Sequence, residues 1–165
     1  MIDHARLLEL LNYCPLTGLF TRKVALSPRN KIGDVAGNLT KGYIELSVDG
    51  KRYRAHNLAW FYVNKSWPKT ELDHVDLNKA NNAISNLREA THSQNGANNG
   101  LRKNSLGMKG VTAYGEKFKS AIMVNRRRVH LGVFDTMQEA AEKYDEAAMQ
   151  YFAEFALTNK QLGLI

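Results

Sequence analysis

The 165-residue chain has little cysteine and no long apolar run. Its single cysteine, Cys14, excludes an internal disulfide framework and a zinc site built from several cysteines. We expect this thiol to be buried or half-buried. No apolar segment approaches the roughly 18 residues of a membrane span, and residues 1–13 lack a basic leader followed by an apolar stretch. These absences predict an intracellular protein that is not secreted.

Positive charge is concentrated in one part of the chain. The formal net charge of +7 divides into +4 for residues 1–100, +7 for 101–130 and −4 for 131–165. A basic block followed by an acidic segment indicates one face that binds a polyanion. A basic surface that is merely solvated is the alternative. The length allows one ordinary domain or two small ones, and 44% hydrophobic content is enough for packed cores.

The segment 72–95 is rich in Asp, His and Asn and poor in apolar residues. Its pattern predicts a strand at 72–75, a loop at 76–83, a strand at 84–88 and a helix with Thr91 at the N-cap and Gln94 at N3. This order can bring polar residues of both strands and of the helix start together.

Three residues of this segment have the chemistry of a phosphodiesterase site. The Asp73 carboxylate and the Asn95 amide oxygen suit a magnesium-like ion, and His74 can take a proton from water. A helix N-terminus beside them favours an anion such as phosphate. Consecutive strand residues point to opposite faces, so Asp73 and His74 share a site only if the backbone is bent or bulged there.

A structural interpretation of the same segment is also open. An Asn-rich loop can hold itself together by side-chain to backbone bonds, and this is the role we expect for Asn78, Asn81 and Asn82. We expect His56 to be a hydrogen-bonded structural histidine. His92 is either part of a helix start or a substrate contact, and Asn99 is a second candidate contact.

The remaining elements before residue 72 follow from periodicity and turn residues. The predictions are a helix at 3–12 with Asp3 as N-cap, a turn at 15–18, a strand at 19–22, an irregular loop at 25–42 with one strand near Val35, and a helix at 56–64 that Pro68 terminates. Asp49-Gly50 predicts a hairpin in which Leu46 faces Tyr53 and Ile44 faces Ala55.

Beyond residue 106 the pattern predicts a three-stranded sheet with one helix on its back. The strands are expected at 110–114, 118–124 and 128–134, and Thr136 with Glu139 opens the helix as a capping box. Val129, Leu131 and Val133 should share one face of the third strand. The helix stripe that packs on the sheet comprises Met137, Ala140, Ala141, Tyr144, Ala148 and Tyr151. The opposite sheet face carries Lys and Arg.

Residues 43–99 resemble an HNH nuclease of the group found in phage genomes and mobile introns. The resemblance rests on Asp73-His74, on Asn86 in an Asn-Leu dipeptide, and on Asn95, which replaces the His that names the family. A known subtype carries Asn there as a metal ligand. The resemblance implies His74 as general base, Asp73 and Asn95 as ligands of one Mg²⁺ or Mn²⁺ ion per active site, and Asn86 as the residue that fixes the loop and orients His74.

Residues 107–159 resemble the DNA-binding domain of the plant APETALA and ethylene-response factors. The matching segments are 109–111, 128–132, 134–136, 139–141 and 144–145. In that family the exposed sheet face lies in the major groove and reads bases. Thr112, Ala121, Met123 and His130 stand where charged or Trp residues are expected. The DNA-binding candidates on and beside this face are Lys109, Lys117, Lys119, Arg126, Arg127, Arg128 and His130.

Together these patterns predict an α+β chain. Residues 1–100 would form an N-terminal ββα-metal (HNH) nuclease module with its core at 43–99, 101–106 a linker, and 107–165 a three-stranded antiparallel sheet packed on one helix. The predicted function is site-directed cleavage of double-stranded DNA, as a nicking or homing endonuclease, without a membrane or protein partner. If a phage encodes the chain, its compartment is the host cytoplasm.

Two other functions compete with this prediction. A sequence-specific DNA-binding regulator with an inactive nuclease module would be indicated by loss of Asp73, His74 or Asn95, and all three are present. A protein that acts on RNA would need exposed aromatic residues for stacking on unpaired bases, and the predicted free sheet face has few.

Overall fold

A computed structural model describes residues 1–25, 30–101 and 104–165. Contacts divide the chain into two compact units, Met1–Glu89 and Ala90–Ile165. The domain limits drawn from the sequence at 100 and 107 differ from this division, because the helix that follows Thr91 belongs to the second unit. Part of the predicted loop at 25–42 and part of the predicted linker at 101–106 lie outside the described residues.

The first unit is built from two helices and short strands. Its elements are α1 (His4–Leu10), β1 (Leu11–Tyr13), β2 (Phe20–Arg22), β3 (Val35–Ala36), β4 (Asn38–Thr40), β5 (Tyr43–Val48), β6 (Lys51–Arg54), α2 (Ala55–Asn64), β7 (Glu71–His74), a 3-10 turn at Ile84–Asn86, and β8 (Leu87–Ala90), whose last residue begins the second unit. Strands β1–β3 and β4–β6 form three-stranded antiparallel sheets, and β7 pairs with β8.

One hydrophobic core unites the helices and the hairpin of the first unit. Leu7 of α1 and Leu58 of α2 are fully buried, and Leu46 of β5 packs in the same cluster. The side chain of Asp3 accepts a hydrogen bond from the Arg6 amide, which confirms the predicted N-cap. Leu87 of β8 belongs to the same cluster, and β8 pairs with the Asp-His strand β7, so this core supports the strand pair that enters the candidate site.

The predicted hairpin is confirmed, with one residue misassigned. Leu46 pairs with Tyr53 across β5 and β6, and both turn residues, Asp49 and Gly50, have positive φ, as a two-residue hairpin turn of this twist requires. Ala55 was expected to continue the strand opposite Ile44. That expectation is wrong, since Ala55 is the first residue of α2.

Three further expectations for the first unit are wrong. Helix α2 ends at Asn64 because Lys65 adopts a left-handed conformation (φ 58°), three residues before Pro68. The second strand of the polar segment begins at Leu87 instead of residue 84, so Asn86 lies in the 3-10 turn before it. Cys14 is exposed, at the end of β1.

The second unit contains the predicted three-stranded sheet and two helices. Its elements are α3 (His92–Ala97), β9 (Val111–Tyr114), β10 (Lys117–Val124), β11 (Arg127–Phe134), α4 (Met137–Phe152) and a 3-10 turn at Ala153–Phe155. The sheet is antiparallel in the order β11-β10-β9. Both capping boxes, at Thr91 and at Thr136, are confirmed. None of the helices in the described ranges is long and apolar enough to cross a membrane.

Helix α4 buries a face close to the predicted stripe. Its buried residues are Ala140, Ala141, Tyr144, Ala147, Ala148 and Phe152. Tyr144 and Ala148 share a core cluster with Ile122 of β10. Tyr151 was placed on this face by the periodicity but is 45% exposed, and its neighbour Phe152 is buried instead. Gly110 lies so close to Tyr144 that a Cβ would stand 1.9 Å from its ring, so no other residue fits there.

A β-bulge breaks the predicted alternation of the sheet. Ser120 pairs with Gly132 while Ala121 pairs with His130, so Leu131 is an extra residue in β11. A bulge shifts the pairing by one residue and turns the following side chains to the other face. Val133, expected inside, is therefore 42% exposed. Ala121 was expected on the exposed face but is 8% exposed, which the bulge does not explain, because the extra residue lies in β11.

Candidate active site

Asp73 and His74 are consecutive buried residues at the end of β7, with 4% and 5% of their surfaces exposed. The Asp73 carboxylate faces Arg88 of the paired strand β8: Arg88 Nε donates to Asp73 Oδ2 at 2.9 Å, and Arg88 Nη2 lies 2.8 Å from the same oxygen. A buried carboxylate needs such partners because its desolvation is costly. The pair fixes Asp73 in the sheet and places a permanent positive charge beside it.

The imidazole of His74 lies among other rings. Its centroid is 5.1 Å from that of His56, edge to face, and 6.2 Å from that of Tyr43. His74 Nε2 lies 3.3 Å from Asn82 Oδ1. With that amide oxygen as acceptor, Nε2 carries the hydrogen and Nδ1 carries the lone pair that a general base needs. Burial lowers the pKa of His74 below its ordinary value, although the Asn82 contact and nearby carboxylates act in the opposite direction.

His56, in the first turn of α2, is a second buried histidine beside His74. Only 5% of its surface is exposed, and its Nδ1 has no hydrogen-bond partner within the described part of the chain. This nitrogen therefore lacks the hydrogen bond that we expected for a structural histidine. Burial, followed by the charges of His74 and Arg54, lowers the pKa of His56 to about 3. His56 is consequently neutral at physiological pH.

Asn86 fastens the loop that follows His74. Its Nδ2 donates to Asp76 Oδ1 at 2.8 Å and to the Asn81 carbonyl at 2.9 Å, and its Oδ1 accepts from the Asp76 amide at 3.0 Å. Its carbonyl also accepts from the Val75 amide. These bonds support the predicted loop-fixing role of Asn86, which acts immediately after the residue predicted to be the base.

Asp76 anchors the same loop, a role that the sequence analysis missed. Besides Asn86, its carboxylate accepts from the Asn78 amide at 2.8 Å and from Asn81 Nδ2 at 2.7 Å. Partial burial alone would raise the pKa of Asp76, but the hydrogen bonds from Asn81 and Asn86 outweigh it and the pKa is lowered. The sequence did carry a signal for this role, since an Asp followed two residues later by Asn is typical of consecutive Asx turns.

Asn82 was predicted to be scaffolding alone, yet its side chain contacts His74. The residue is 2% exposed, and its carbonyl accepts from the Tyr13 hydroxyl at 2.7 Å. The turn at 15–18 packs against its backbone: a Cβ on Gly18 would lie 2.3 Å from the Ala83 nitrogen, and the Ile84 amide donates to the Pro15 carbonyl. The N-terminal turn thus supports the residue that positions His74.

Asn95, the third predicted site residue, belongs to the second unit. It is half-buried in α3, and its amide donates to the Thr91 carbonyl at 2.9 Å. The candidate substrate contacts His92 and Asn99 are exposed, at the start of α3 and just beyond its end. The predicted ligands Asp73 and Asn95 therefore come from two different compact units.

The donor chemistry of Asp73 and Asn95 fits a divalent ion. A carboxylate and an amide oxygen are hard ligands, and Mg²⁺ usually keeps several waters besides one or two protein ligands. Among the residues that the structure describes, no group of three or more His, Cys, Asp or Glu side chains is gathered that could hold a metal ion.

The predicted DNA-binding residues of the second unit differ in exposure. Arg126, Arg127, Arg128 and His130 are exposed around the β10–β11 turn. Lys117 is exposed too, but its Nζ forms a 2.8 Å ion pair with Asp135. Lys119 is half-buried, with its Nζ 5.8 Å from the centroid of the Tyr114 ring. The turn is therefore the most accessible concentration of these cations.

Lys109 has a different environment from the other candidates. Its Nζ donates to the carbonyls of Ala97, Asn99 and Leu157, which accounts for all three donors of an ammonium group. Burial lowers the pKa of Lys109 to about 8. In this conformation the side chain binds two backbone segments, at 97–99 and at Leu157, so the expected contact with DNA would require these bonds to break.

Comparison with known proteins shows what these residues are similar to. Residues 53–97 match the sequence model of a family described as HNH endonuclease. The matched segment lies within the predicted core at 43–99 and includes Asp73, His74, Asn86 and Asn95.

One relative extends the similarity beyond the matched segment. An uncharacterized HNH endonuclease of Acanthamoeba polyphaga mimivirus is 35% identical over 124 residues, which make up 74% of this chain and 65% of the viral protein. The chain thus spans slightly less than two thirds of that relative. The family match ends before the C-terminal sheet, so the resemblance of 107–159 to plant transcription factors stays a prediction.

Proposed function

We propose that the chain is a metal-dependent DNA endonuclease whose HNH domain hydrolyses phosphodiester bonds and whose C-terminal sheet binds the duplex. The observation that carries this proposal is His74, a buried imidazole held by Asn82 and packed on His56, next to Asp73 and inside the HNH domain. A rigid, desolvated histidine beside a carboxylate suits proton abstraction better than it suits surface binding.

His74 acts in this proposal as the general base that takes a proton from the attacking water. Because burial lowers its pKa, His74 is neutral at pH 7 and able to accept that proton. The activity should persist to a lower pH than an ordinary histidine would allow. General-base assistance contributes about 10² to 10⁴ in rate, which sets the scale of the loss on removing the ring.

Asp73 would supply a carboxylate ligand to one divalent ion, Mg²⁺ or Mn²⁺, and Asn95 is the second candidate ligand. Such an ion supplies Lewis-acid stabilisation of the charge that develops on the phosphate. Arg88 holds Asp73 in the sheet through the bonds at Oδ2. Asn86 is a positioning residue, because it fixes the loop after His74 through Asp76 and Asn81.

The C-terminal sheet supplies affinity and part of the target choice in this proposal. Arg126, Arg127 and Arg128 lie exposed at one turn, and His130 follows on β11. Contacts of such cations with phosphates give salt-dependent affinity, while contacts with base edges give sequence preference. One set of catalytic residues per chain favours a nick in one strand per binding event, as in a nicking or homing enzyme.

The proposal is tested by incubating supercoiled plasmid with the full chain in Mg²⁺, in Mn²⁺ and in EDTA. We expect open-circular product with either ion, none in EDTA, and recovery when the metal is restored. Duplex binding without cleavage in either ion would favour the alternative, a DNA-binding regulator with an inactive nuclease domain. Cleavage that continues unchanged in EDTA would contradict the metal-dependent mechanism.

A further inference from the structure

Two cations contact one aromatic ring beside the candidate active site. The Cζ of Arg54 lies 4.3 Å from the centroid of the Tyr43 ring, and the Nζ of Lys79 lies 5.0 Å from it. Tyr43 begins β5, Arg54 ends β6, and Lys79 belongs to the loop after β7. The fold thus gathers two positive charges from separate segments at a single half-buried ring.

Among the described residues, neither cation is paired with an acidic neighbour. No side-chain hydrogen bond or ion pair joins the Arg54 guanidinium or the Lys79 ammonium to another residue in these ranges. Glu45 stands opposite Arg54 in the strand register but forms no ion pair with it. The carboxylate of Asp76 is engaged by Asn78, Asn81 and Asn86.

This pattern differs from that of several other exposed cations of the chain. Arg6, Lys117 and Lys143 each have an acidic partner within 3.1 Å. Arg54 and Lys79 are exposed, have no acidic partner in the part of the chain that the structure describes, and both lie against the Tyr43 ring. Two like charges kept together without a counter-charge attract an anion.

The Tyr43 ring also places the two cations near the buried histidines of the candidate active site. Its centroid is 6.2 Å from the His74 ring and 5.5 Å from the His56 ring. An anion bound by Arg54 and Lys79 would therefore lie close to the residue proposed as general base. In a nuclease the anion that extends past the active site is the next phosphate of the same strand.

We propose that Arg54 and Lys79, supported by Tyr43, bind a backbone phosphate of the strand that is cut, adjacent to the scissile phosphodiester. The proposal rests on the proposed nuclease function of His74 and adds a substrate-binding site to it. Its ligand class is the phosphodiester backbone of DNA, independent of base sequence. The site would hold the strand in register with His74, while the C-terminal sheet binds elsewhere on the duplex.

The test measures duplex binding by the full chain in EDTA at 50 and 200 mM salt, where no cleavage is needed for a signal. Lys79→Met keeps the aliphatic stem and removes the charge, and Arg54→Gln does the same for the guanidinium. Each should weaken binding, and the fold deficit at 50 mM should be about 3.5 times that at 200 mM, since one phosphate contact contributes a slope of about 0.9.

Two further variants separate a local contact from a general charge effect. Lys51→Met removes one charge from an exposed lysine at the far end of the same hairpin and should bind nearly as wild type does. Lys79→Arg keeps the charge and should restore most of the affinity. Equal binding by Lys79→Met and wild type, or an equal loss in Lys51→Met, would overturn the proposed site.

Single-turnover nicking at saturating DNA in Mg²⁺ completes the test. Lys79→Met should nick more slowly than Lys51→Met, because the strand is less well held beside His74. Equal rates would overturn the placement next to the scissile bond. Failure of the wild type to nick would refute the proposed function but not the binding site, whose evidence is the affinity measured in EDTA.

Discussion

The loop after His74 and the β10–β11 turn are both polar, but they are built in opposite ways. In the loop, Asn82 and Asn86 are buried and bonded to neighbouring side chains and backbone. At the turn, Arg126, Arg127 and Arg128 are exposed. One region holds its polar groups in a single arrangement, and the other leaves them accessible to a ligand.

The two regions differ in this way because their proposed roles make different physical demands on polar groups. Buried polar groups must have partners, because an unpaired one costs the full desolvation energy, and those partners also fix the geometry that proton transfer needs. Cationic side chains gain affinity for DNA because their binding releases counterions from the phosphates. Such side chains can stay solvated in the free protein at little energetic cost. Substitutions in the loop should therefore change stability and chemistry, whereas substitutions at the turn should change binding alone.

The largest effect on stability is expected at Arg88. Arg88→Ala leaves the buried Asp73 carboxylate without the two contacts at Oδ2, and breaking a buried pair by removing one partner costs about 3 kcal/mol. The free energy of unfolding can be followed by tryptophan fluorescence, since Trp60 and Trp67 both lie in the first unit.

Arg6→Ala is the matched control, because Arg6 forms its ion pairs with Glu9 and Asp49 at the surface of the same unit. Exposed pairs contribute little to stability, so this variant should unfold much like the wild type. Similar losses in the two arginine variants would show that burial of the Asp73–Arg88 pair does not add to the stability of the first unit.

A smaller effect is expected from pH. The pKa of His56 is lowered from 6.5 to about 3, chiefly by burial, so between these values the unfolded chain binds a proton that the folded unit does not. The free energy of unfolding of the first unit should therefore decrease as pH falls below 6.5, by about 2 kcal/mol between pH 7 and pH 5. The lowered pKa of His74 adds to the same trend.

His56→Phe should flatten this pH dependence of tryptophan-detected unfolding, because phenylalanine cannot bind the proton in either state. His130→Gln should leave the slope unchanged, since His130 is exposed in the second unit. A slope that is the same in wild type and His56→Phe would mean that His56 is not held neutral by the fold.

The smallest effect is expected at the turn. Arg128→Ala should weaken duplex binding and reduce the slope of log affinity against log salt by about 1, without a measurable change in unfolding. Lys143→Ala is the control, because Lys143 lies on α4 in an ion pair with Glu146. An Arg128 variant with the wild-type isotherm at two salt concentrations would contradict the assignment of binding to this turn.

Local patterns predicted much of the secondary structure. Turn chemistry and capping boxes identified the hairpin at Asp49-Gly50 and the starts of α3 and α4, since these signals depend on residues within a few positions of each other. The errors arose where contacts between distant residues determine the local structure. The bulge at Leu131 is set by the pairing of β11 with β10, and no alternation rule within one strand could reveal that Val133 turns outward.

The sequence predicted the residues of the candidate site better than it predicted the residues that hold them in place. Asp73, His74 and Asn86 stood out by residue type and spacing. In the structure each of them contacts a polar side chain within 3.3 Å. Their supporting residues come from distant segments, such as Tyr13 and Gly18 behind Asn82. Asn82 itself was not distinguishable from its Asn neighbours, because only the folded loop shows which amide reaches His74.

The proposed mechanism depends above all on His74 as the general base, and comparing His74→Ala with the wild type on supercoiled plasmid in Mg²⁺ tests that role directly. We expect the nicking rate to fall by about 10² to 10⁴, with duplex affinity in EDTA nearly unchanged. His4→Gln, which alters another histidine of the first unit, should nick as the wild type does. Wild-type nicking by His74→Ala would contradict the central claim.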